Sequence, residues 1–233
     1  MTIDPKRICI VTLAIGADYR RSLVKALTRK KEYAEKHGYT YIQAEESWWN
    51  RERPIAWSKV PLWIDLCKRG DLYDYIWISD ADVYITNMDL KLEDHVIPHL
   101  EMGKDLLLTY DTCGHINSGN MIVRPGEWAV RYFQDVWNQA DCINHIWWEN
   151  AAMIKLLGSV GEYGQKVSLL RDAYIFNAYL MGLPDSRLWQ PGDFLVHFAG
   201  VYKAEMMAKL MDMIDGGAVP RIDMYNGQLL SGA

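Results

Sequence analysis

Two carboxylates stand one residue apart, directly after a run of apolar residues that is typical of a buried strand. Asp80 and Asp82 follow Tyr75–Ser79 (YIWIS). Alternate side chains of an extended chain point the same way, so both carboxylates can reach one cation. Mg²⁺ and Mn²⁺ prefer carboxylate and phosphate oxygens, which indicates an enzyme that handles a nucleoside diphosphate or a similar donor. The alternative interpretation is an ordinary turn after the strand, because Asp is common in turns.

Three later segments carry polar groups that could complete such a site. They are His115–Arg124 (HINSGNMIVR), Trp147–Met153 (WWENAAM) and Val196–Lys203 (VHFAGVYK). The first is a polar turn that enters an apolar strand, the second opens a helix with an acid and an amide, and the third places a His, a Gly and a Lys at three-residue steps. Each also has a structural explanation: the polar residues of the first could be a turn before a strand, His197 could be a core histidine, and Glu149 could complement the dipole of its helix.

The elements that must position these residues alternate between strands and helices. Apolar runs predict strands at Arg7–Ala14, Tyr39–Ala44 and Asp74–Ser79. Helical spacing predicts a first helix that stops at Gly38, and a second over Trp57–Lys68 with Ser58 as its N-cap. This alternation favours a parallel sheet with right-handed crossovers, whose ligands bind beyond the carboxyl ends of the strands.

The second half of the chain continues with shorter elements. We expect strands at Lys104–Tyr110, Ile116–Arg124 and Phe194–Phe198, and helices at Glu127–Asn138, Trp148–Leu157 and Lys203–Asp215. No linker, repeat or low-complexity tract interrupts the sequence. The sequence therefore predicts one domain over residues 1–233, with a helical carboxyl-terminal tail from about residue 203.

Composition narrows the class of partner and the cellular compartment. The net charge of -5 and the pI near 5.7 argue against a nucleic-acid partner. The four cysteines form no Cys-x-x-Cys pair, so we interpret them as reduced residues of a cytoplasmic protein. The first apolar run, from Ile8 to Ile15, is too short to cross a bilayer and lacks the layout of a signal peptide, so we expect a soluble chain without a membrane span.

Taken together and in this order, the motifs resemble those of the metal-dependent glycosyltransferases of the GT-A fold. The closest resemblance is to glycosyltransferase family 34, the galactosyl- and xylosyltransferase group, with a looser likeness to the glycogenin-like family. These families carry Asp-x-Asp after a hydrophobic strand, Asn-[Ser/Thr/Ala]-Gly at a strand entry, an acid/amide pair opening a helix, and a terminal His-Phe-x-Gly. The resemblance implies an α/β, Rossmann-like fold with a mostly parallel central sheet flanked by helices.

The resemblance also implies roles for individual residues. Asp80, Asp82 and His197 would hold Mn²⁺ or Mg²⁺ on the donor diphosphate, and Asp80 could instead bind the ribose. Glu149 and Asn150 would lie beside the reacting carbon and act in catalysis. The donor-binding residues implied are Thr12, Ile15, Gly16, Lys59, Asp80, Asn117, Ser118, Gly119, Gly200 and Lys203. Family members more often carry Gln where this chain has Asn150, and eukaryotic members are membrane-anchored, whereas we expect no anchor within the residues of this sequence.

The resulting expectation is a glycosyltransferase that moves a sugar from a nucleoside-diphosphate sugar, expected to be a UDP-sugar, to a hydroxyl of a carbohydrate acceptor. The resemblance implies retention of the anomeric configuration, although similar folds carry out both the retaining and the inverting reaction. One alternative is a metal-dependent nucleotidyl- or phosphotransferase, although no glycine-rich phosphate-binding motif is present. Another is a non-catalytic carbohydrate-binding protein that uses some of the ten Trp and fourteen Tyr. Asp111 and Asp172 could serve the acceptor or could be surface loop residues.

Overall fold

A central sheet of six strands forms the frame of the molecule. A computed structural model describes residues 3–158 and 163–230. The sheet has the order β2-β1-β3-β6-β5-β7, and β4 and β8 pair separately. The strands are β1 (Ile8–Leu13), β2 (Thr40–Ala44), β3 (Tyr75–Ser79), β4 (Val83–Ile85), β5 (Leu106–Tyr110), β6 (Ile116–Val123), β7 (Val167–Leu170) and β8 (Leu195–His197).

The sheet is mostly parallel, with one reversed strand. β1 runs parallel to β2 and β3, β5 runs parallel to β7, and β6 is antiparallel to both of its neighbours. This reversal departs from the purely parallel alternation, because residues 111–115 between β5 and β6 are too few for a crossover. As a consequence, the amino-terminal part of β6 meets the carboxyl end of β3, where Asp80 begins.

Seven helices cover the sheet within residues 3–158 and 163–230. They are α1 (Ala17–Ser22), α2 (Val24–His37), α3 (Lys59–Cys67), α4 (Leu92–His95), α5 (Glu127–Trp137), α6 (Trp148–Gly158) and α7 (Ala204–Asp215). α2 ends as predicted at Gly38, which has a left-handed φ of 77°. None of the helices in the described part of the chain has the length and apolar character that crossing a bilayer requires.

The prediction that Ser58 caps α3 is wrong. Ser58 has helical dihedral angles and makes no capping hydrogen bond. A 3-10 turn over Ile55–Ser58 precedes α3 and leads directly into it, so no extended residue stands at the helix start. The Ser58 hydroxyl instead accepts a hydrogen bond from the backbone N–H of Asn50, at 3.0 Å. It therefore anchors the preceding loop.

The core lies on both faces of the sheet, because successive strand residues point to opposite sides. In β3, Ile78 packs with the layer formed by α3 and α5, which includes Trp63 and Phe133. Trp77 packs on the other side with Tyr33 of α2 and with Phe194. Full burial of such side chains contributes about 1.5–3 kcal/mol each. The strand that delivers the carboxylates is thus fixed between two apolar layers.

The separate β4–β8 pair brings a distant part of the chain to the end of β3. Val83 pairs with His197 in an antiparallel register. The backbone N–H of Phe198 donates to the carbonyl of Asp82, at 3.1 Å. Tyr84 and Val196 of this pair join a third core cluster that includes Leu210 of α7, whereas Val83, Ile85 and Leu195 pack in the cluster around Trp77. The predicted carboxyl-terminal helix therefore packs on the body of the protein and supports the β4–β8 pair.

Candidate active site

Asp80, Asp82 and His197 form a cluster that is suited to a divalent metal. One ligand atom from each lies within 4.8 Å of the others. His197 Nε2 and Asp82 Oδ1 are 3.4 Å apart. Burial would raise the pKa of Asp82, but the adjacent His197 and the nearby lysines hold it below its ordinary value. Two carboxylates and an imidazole are a donor set that accepts Mn²⁺ as well as Mg²⁺.

A chain of buried hydrogen bonds determines which ring nitrogen of His197 carries the proton when the imidazole is neutral. The indole N–H of Trp77 can only donate, so Asn120 must present its Oδ1, at 2.9 Å. The amide nitrogen of Asn120 then donates to Asn177 Oδ1, at 3.0 Å. Because Asn177 presents this oxygen to His197 as well, His197 donates from Nδ1, at 2.9 Å. The neutral imidazole therefore keeps its lone pair on Nε2, as a metal ligand requires.

Gly119 leaves the space that the His197 ring occupies. A Cβ atom at this position would lie 2.3 Å from His197 Cε1 and 2.9 Å from its Nε2. The Gly119 carbonyl also accepts a hydrogen bond from the backbone N–H of Asp80, at 2.7 Å. β6 therefore touches two residues of the proposed metal set, and only glycine permits this approach without displacing the imidazole.

Lys59 links the metal cluster to the start of α6. Its Nζ lies 3.0 and 3.1 Å from the two carboxylate oxygens of Asp80 and 2.7 Å from Glu149 Oε1. Burial would lower the pKa of Lys59, but the charges of Asp80 and Glu149 outweigh burial and raise it. Lys59 is therefore an ammonium held between two carboxylates, where it can also stabilise an added phosphate charge.

Glu149 presents one buried carboxylate oxygen that the described residues leave unpaired. Its side chain is 4% exposed. Oε1 accepts from Lys59 and from the hydroxyl of Ser118, at 3.2 Å, whereas Oε2 has no hydrogen-bond partner within the described part of the chain. Burial raises the pKa of Glu149, and Lys59 opposes that shift. Leaving a buried acceptor unsatisfied costs about 1–3 kcal/mol, which a substrate group could recover.

The side-chain amides of Asn117 and Asn150, two predicted site residues, already make hydrogen bonds within the protein. Asn150 Oδ1 accepts from the Ser118 N–H and its Nδ2 donates to the Ile116 carbonyl, both at 3.0 Å. Asn117 Oδ1 accepts from Gly119 N and from Asn177 Nδ2. Asn150 thus fastens α6 to β6. Each amide group retains capacity for a second bond, so a sugar contact stays a prediction for both.

The loop after β1 lies at the same edge of the sheet. Thr12 Oγ1 is buried and lacks a hydrogen-bond partner among the described residues. Ile15 is buried, and Gly16 has a φ of 101°, which favours glycine. The Gly16 N–H donates to Glu46 Oε1, at 3.0 Å, and Glu46 also pairs with Arg20. The loop that is expected to bind the nucleoside base is therefore held in place by the Glu46 carboxylate.

The turn after β8 gives a different outcome for the two residues predicted there. Gly200 has a φ of 83°, so it allows the chain to turn away from His197. Lys203 is exposed directly before α7. In residues 3–158 and 163–230, its ammonium makes no hydrogen bond to Asp80, Asp82 or His197. The structure brings most predicted site residues together but leaves Lys203 outside the cluster.

Sequence reasoning missed Lys30, a fully buried lysine of α2. Its Nζ donates to the backbone carbonyls of Asp80 and Ala81, at 2.7 and 3.3 Å. Burial lowers the pKa of Lys30 to about 7, against the opposing charges of Asp82 and Asp80. A signal was present, because Lys30 stands three residues after Leu27 on the apolar face of the helix. Asn177 lies in an irregular loop and has no comparable signal.

Comparison with known proteins agrees with this geometry. The model of the galactosyl transferase GMA12/MNN10 family, glycosyltransferase family 34, matches residues 4–112, which include Lys59, Asp80 and Asp82. The chain resembles family 34. Glu149 and His197 lie outside the matched range, so their assignment depends on the geometry described above.

Curated relatives of similar sequence are named as alpha-1,2-galactosyltransferases. An uncharacterized alpha-1,2-galactosyltransferase of Schizosaccharomyces pombe is 24% identical over 226 residues, covering 82% of this chain and 58% of that protein. An alpha-1,2-galactosyltransferase of the same yeast is 25% identical over 221 residues, covering 78% of this chain and 56% of its own length. The chain thus spans somewhat more than half the length of these curated relatives.

A solved structure shows the fold. The crystal structure of a glycosyltransferase involved in the glycosylation of the major capsid of PBCV-1 superposes with a TM-score of 0.65. It is 14% identical in sequence, and the match covers 88% of this chain and 98% of that one. The prediction of an α/β GT-A fold with a mostly parallel central sheet is confirmed.

Proposed function

We propose that the protein is a metal-dependent glycosyltransferase that moves a sugar from a nucleoside-diphosphate sugar to a hydroxyl of a carbohydrate acceptor. The observation that carries this proposal is the convergence of Asp80, Asp82 and His197 beside the Lys59–Glu149 pair. A UDP-sugar is the expected donor. The names of the relatives make UDP-galactose the first donor to test.

The donor set fits a resident divalent ion, expected to be Mn²⁺ or Mg²⁺. Asp82 and His197 Nε2 would hold it, together with Asp80, whose carboxylate Lys59 already orients. Such an ion supplies positive charge that stabilises the leaving diphosphate. Lys59 would add an ammonium on the same side of the site. Lys203 stays a predicted diphosphate contact that requires its side chain to turn inward.

Glu149 and Asn150 are proposed to act at the reacting carbon. The unpaired Oε2 of Glu149 would stabilise the positive charge that develops on the donor sugar in a retaining reaction, as the family resemblance implies. In an inverting reaction the same oxygen could accept the proton of the acceptor hydroxyl. Asn150, held by β6, would orient the sugar beside it.

The remaining donor contacts come from β1 and β6. Thr12, Ile15 and Gly16 are proposed to receive the nucleoside, and the buried, unpaired Thr12 hydroxyl supports this placement. Asn117 and Ser118 would contact the donor sugar. Gly119 is proposed to line the donor sugar with them, and Gly200, in the turn that follows β8, is proposed as a further donor contact.

The domain organisation and the cellular location are also proposals. One domain is proposed for residues 1–233, of which 1–2, 159–162 and 231–233 lie outside the described residues; the shared sheet and the packing of α7 support it. A cytoplasmic location is supported by the four cysteines, which are all free.

Release of UDP from UDP-sugars tests the proposal. Asp82→Asn and His197→Ala should each lower Mn²⁺-stimulated UDP release by roughly a hundredfold or more, because each removes a metal ligand. Asp71→Asn is the matched control, since Asp71 is exposed beside Arg7 at the opposite edge of the sheet. Full activity in both ligand variants, or in a chelator, would contradict the metal assignment. Glycan binding that is indifferent to chelator and to UDP would instead indicate a non-catalytic carbohydrate-binding protein.

A further inference from the structure

Two exposed tryptophans stand immediately before Glu149. Trp147 and Trp148 expose 41% and 40% of their surface, and Ile146 beside them is also exposed. Each indole keeps about two fifths of its surface accessible, and together with Ile146, which is 75% exposed, they form an apolar patch of three consecutive residues of the kind that marks binding surfaces. Their position at the start of α6 places this surface next to the buried carboxylate with a free oxygen.

The surrounding structure holds the pair in a fixed arrangement. The backbone N–H of Trp147 donates to His145 Nδ1, at 3.1 Å, and its ring lies 4.8 Å from that of His115, centroid to centroid. Trp148 has a φ of 45°, and it is the one non-glycine residue with positive φ in the described ranges. This conformation is unfavourable for a bulky residue and persists where the surroundings impose it.

The residues that contact β6 follow a definite order along the strand. His115, beside Trp147, lies just before β6, and Gly119, against His197, lies four residues further on. At the rise of an extended chain this separation is about 13 Å. Ser118, which contacts Glu149, stands near the metal end. The order from the tryptophans through Glu149 to the metal ligands is the order that acceptor, donor sugar and diphosphate need.

We propose that Trp148, supported by Trp147, is an acceptor subsite on which the apolar face of a sugar ring stacks. The inference rests on the proposed function and specifies which part of the site takes the acceptor. Trp148 directly precedes Glu149, so a sugar ring on its exposed face would lie at the amino-terminal end of α6, the end of the helix that carries the proposed catalytic residues. Aromatic faces and single polar tips suit such ligands.

The chemistry of the segment favours carbohydrate over a lipid surface. Residues 140–150 (ADCINHIWWEN) contain no Lys or Arg. A surface that binds anionic membranes combines apolar anchors with basic residues. The polar residues next to the indoles are instead histidine, asparagine and glutamate, which can bond to hydroxyl groups.

Saturation-transfer NMR and kinetics on the full chain test the proposal. The probes are lactose, maltose, mannobiose and xylobiose, each with the wild type, Trp148→Ala, Trp148→Phe and Leu72→Ala. Leu72 is 50% exposed in the turn before β3, at the opposite edge of the sheet, and serves as the control. Metal-dependent UDP binding and acceptor-free UDP release are measured on the same samples.

We expect saturation transfer from at least one disaccharide to be lost in Trp148→Ala and retained in Trp148→Phe and Leu72→Ala. The KM for that disaccharide should rise about tenfold in Trp148→Ala, with acceptor-free UDP release unchanged. Unchanged sugar binding in Trp148→Ala and in the Trp147→Ala/Trp148→Ala double variant would overturn the proposal. So would loss of acceptor-free UDP release in Trp148→Ala, which would assign the indole to the donor site.

Two other outcomes distinguish the sugar subsite from a membrane contact and from the proposed transferase function. Binding to phosphatidylcholine/phosphatidylserine vesicles that the double variant abolishes, with sugar binding unchanged, would overturn the subsite and indicate a membrane contact. If the wild type shows no metal-dependent UDP binding but Trp148→Ala still loses the saturation transfer, the proposed transferase function fails while the sugar subsite stands.

Discussion

His197 is oriented by residues that lie outside the proposed metal set. Trp77 fixes the amide of Asn120, Asn120 fixes Asn177, and Asn177 fixes the imidazole. The direction of these hydrogen bonds follows from the indole N–H of Trp77, which can donate but cannot accept. At the scale of single residues, therefore, the proposed metal site depends on the buried side chains of Trp77, Asn120 and Asn177 as much as on its own ligands.

Asn177→Leu should weaken Mn²⁺ binding about 10- to 100-fold, because His197 loses the acceptor that keeps its lone pair on Nε2. Asn177→Asp retains an oxygen for His197 and should keep more of the affinity, while the loss of the amide donors to Thr109 affects both variants. Titration followed by electron paramagnetic resonance measures the affinity. Equal affinities in the wild type and both variants would show that the hydrogen-bond chain has no influence on the ligand.

Gly119→Ala should displace the His197 ring, since the new Cβ would lie 2.3 Å from Cε1. We expect the free energy of unfolding to fall by about 1–3 kcal/mol, as for other overpacked sites, with weaker Mn²⁺ binding. Gly158→Ala is the control because a Cβ there meets no atom within 4 Å. Denaturant unfolding gives the comparison. A stable Gly119→Ala protein with normal metal affinity would remove the steric explanation for this glycine.

At the scale of elements, two connections assemble the site. β4 pairs with β8 across more than a hundred residues of sequence, and Asn150 fastens α6 to β6. Periodicity predicted the longer strands and helices because their apolar positions repeat locally. It did not predict β4, which has three residues and a distant partner, or the capping of α3, which the preceding 3-10 turn replaces.

The loop after β1 should depend on pH through Glu46. Arg20 and the Gly16 N–H lower the pKa of Glu46 from 4.5 to about 2. The ionised carboxylate is thus favoured by folding, so its stabilising contribution is complete above about pH 4.5 and is lost as the pH falls towards 2.

Glu46→Gln should therefore lower stability and raise the donor KM at pH 7, and the difference in stability should shrink between pH 4.5 and 2. Glu45→Gln is the matched control, because the Glu45 carboxylate lies 3.8 Å from Arg20. Thermal unfolding across this pH range, with UDP release at neutral pH, gives the readout. A stability difference independent of pH would exclude the ion pair as its cause.

At the scale of the whole molecule, the site gathers residues from Thr12 to His197 at one edge of the sheet. The order of the motifs was predictable from the sequence, because the carboxyl ends of neighbouring strands share an edge. The hydrogen bonds and ion pairs inside the site were not predictable. Lys30 stands on the apolar face of its helix, but nothing in the sequence names its acceptors, the carbonyls of Asp80 and Ala81. Asn177 lies in an irregular loop, and Lys203 is exposed.

The most direct test of the account is a thermal-shift measurement with Mn²⁺ and UDP, added separately and together, on the wild type and Asp82→Asn. A ligand at a hundredfold excess over its Kd adds about 2.7 kcal/mol. For a chain of this size that corresponds to a rise in Tm of roughly 5–10 °C. We predict this rise for the wild type only when both are present, and its loss in Asp82→Asn. An equal rise with UDP in the presence of a chelator, or an unchanged rise in Asp82→Asn, would contradict a metal-dependent donor site at Asp80, Asp82 and His197.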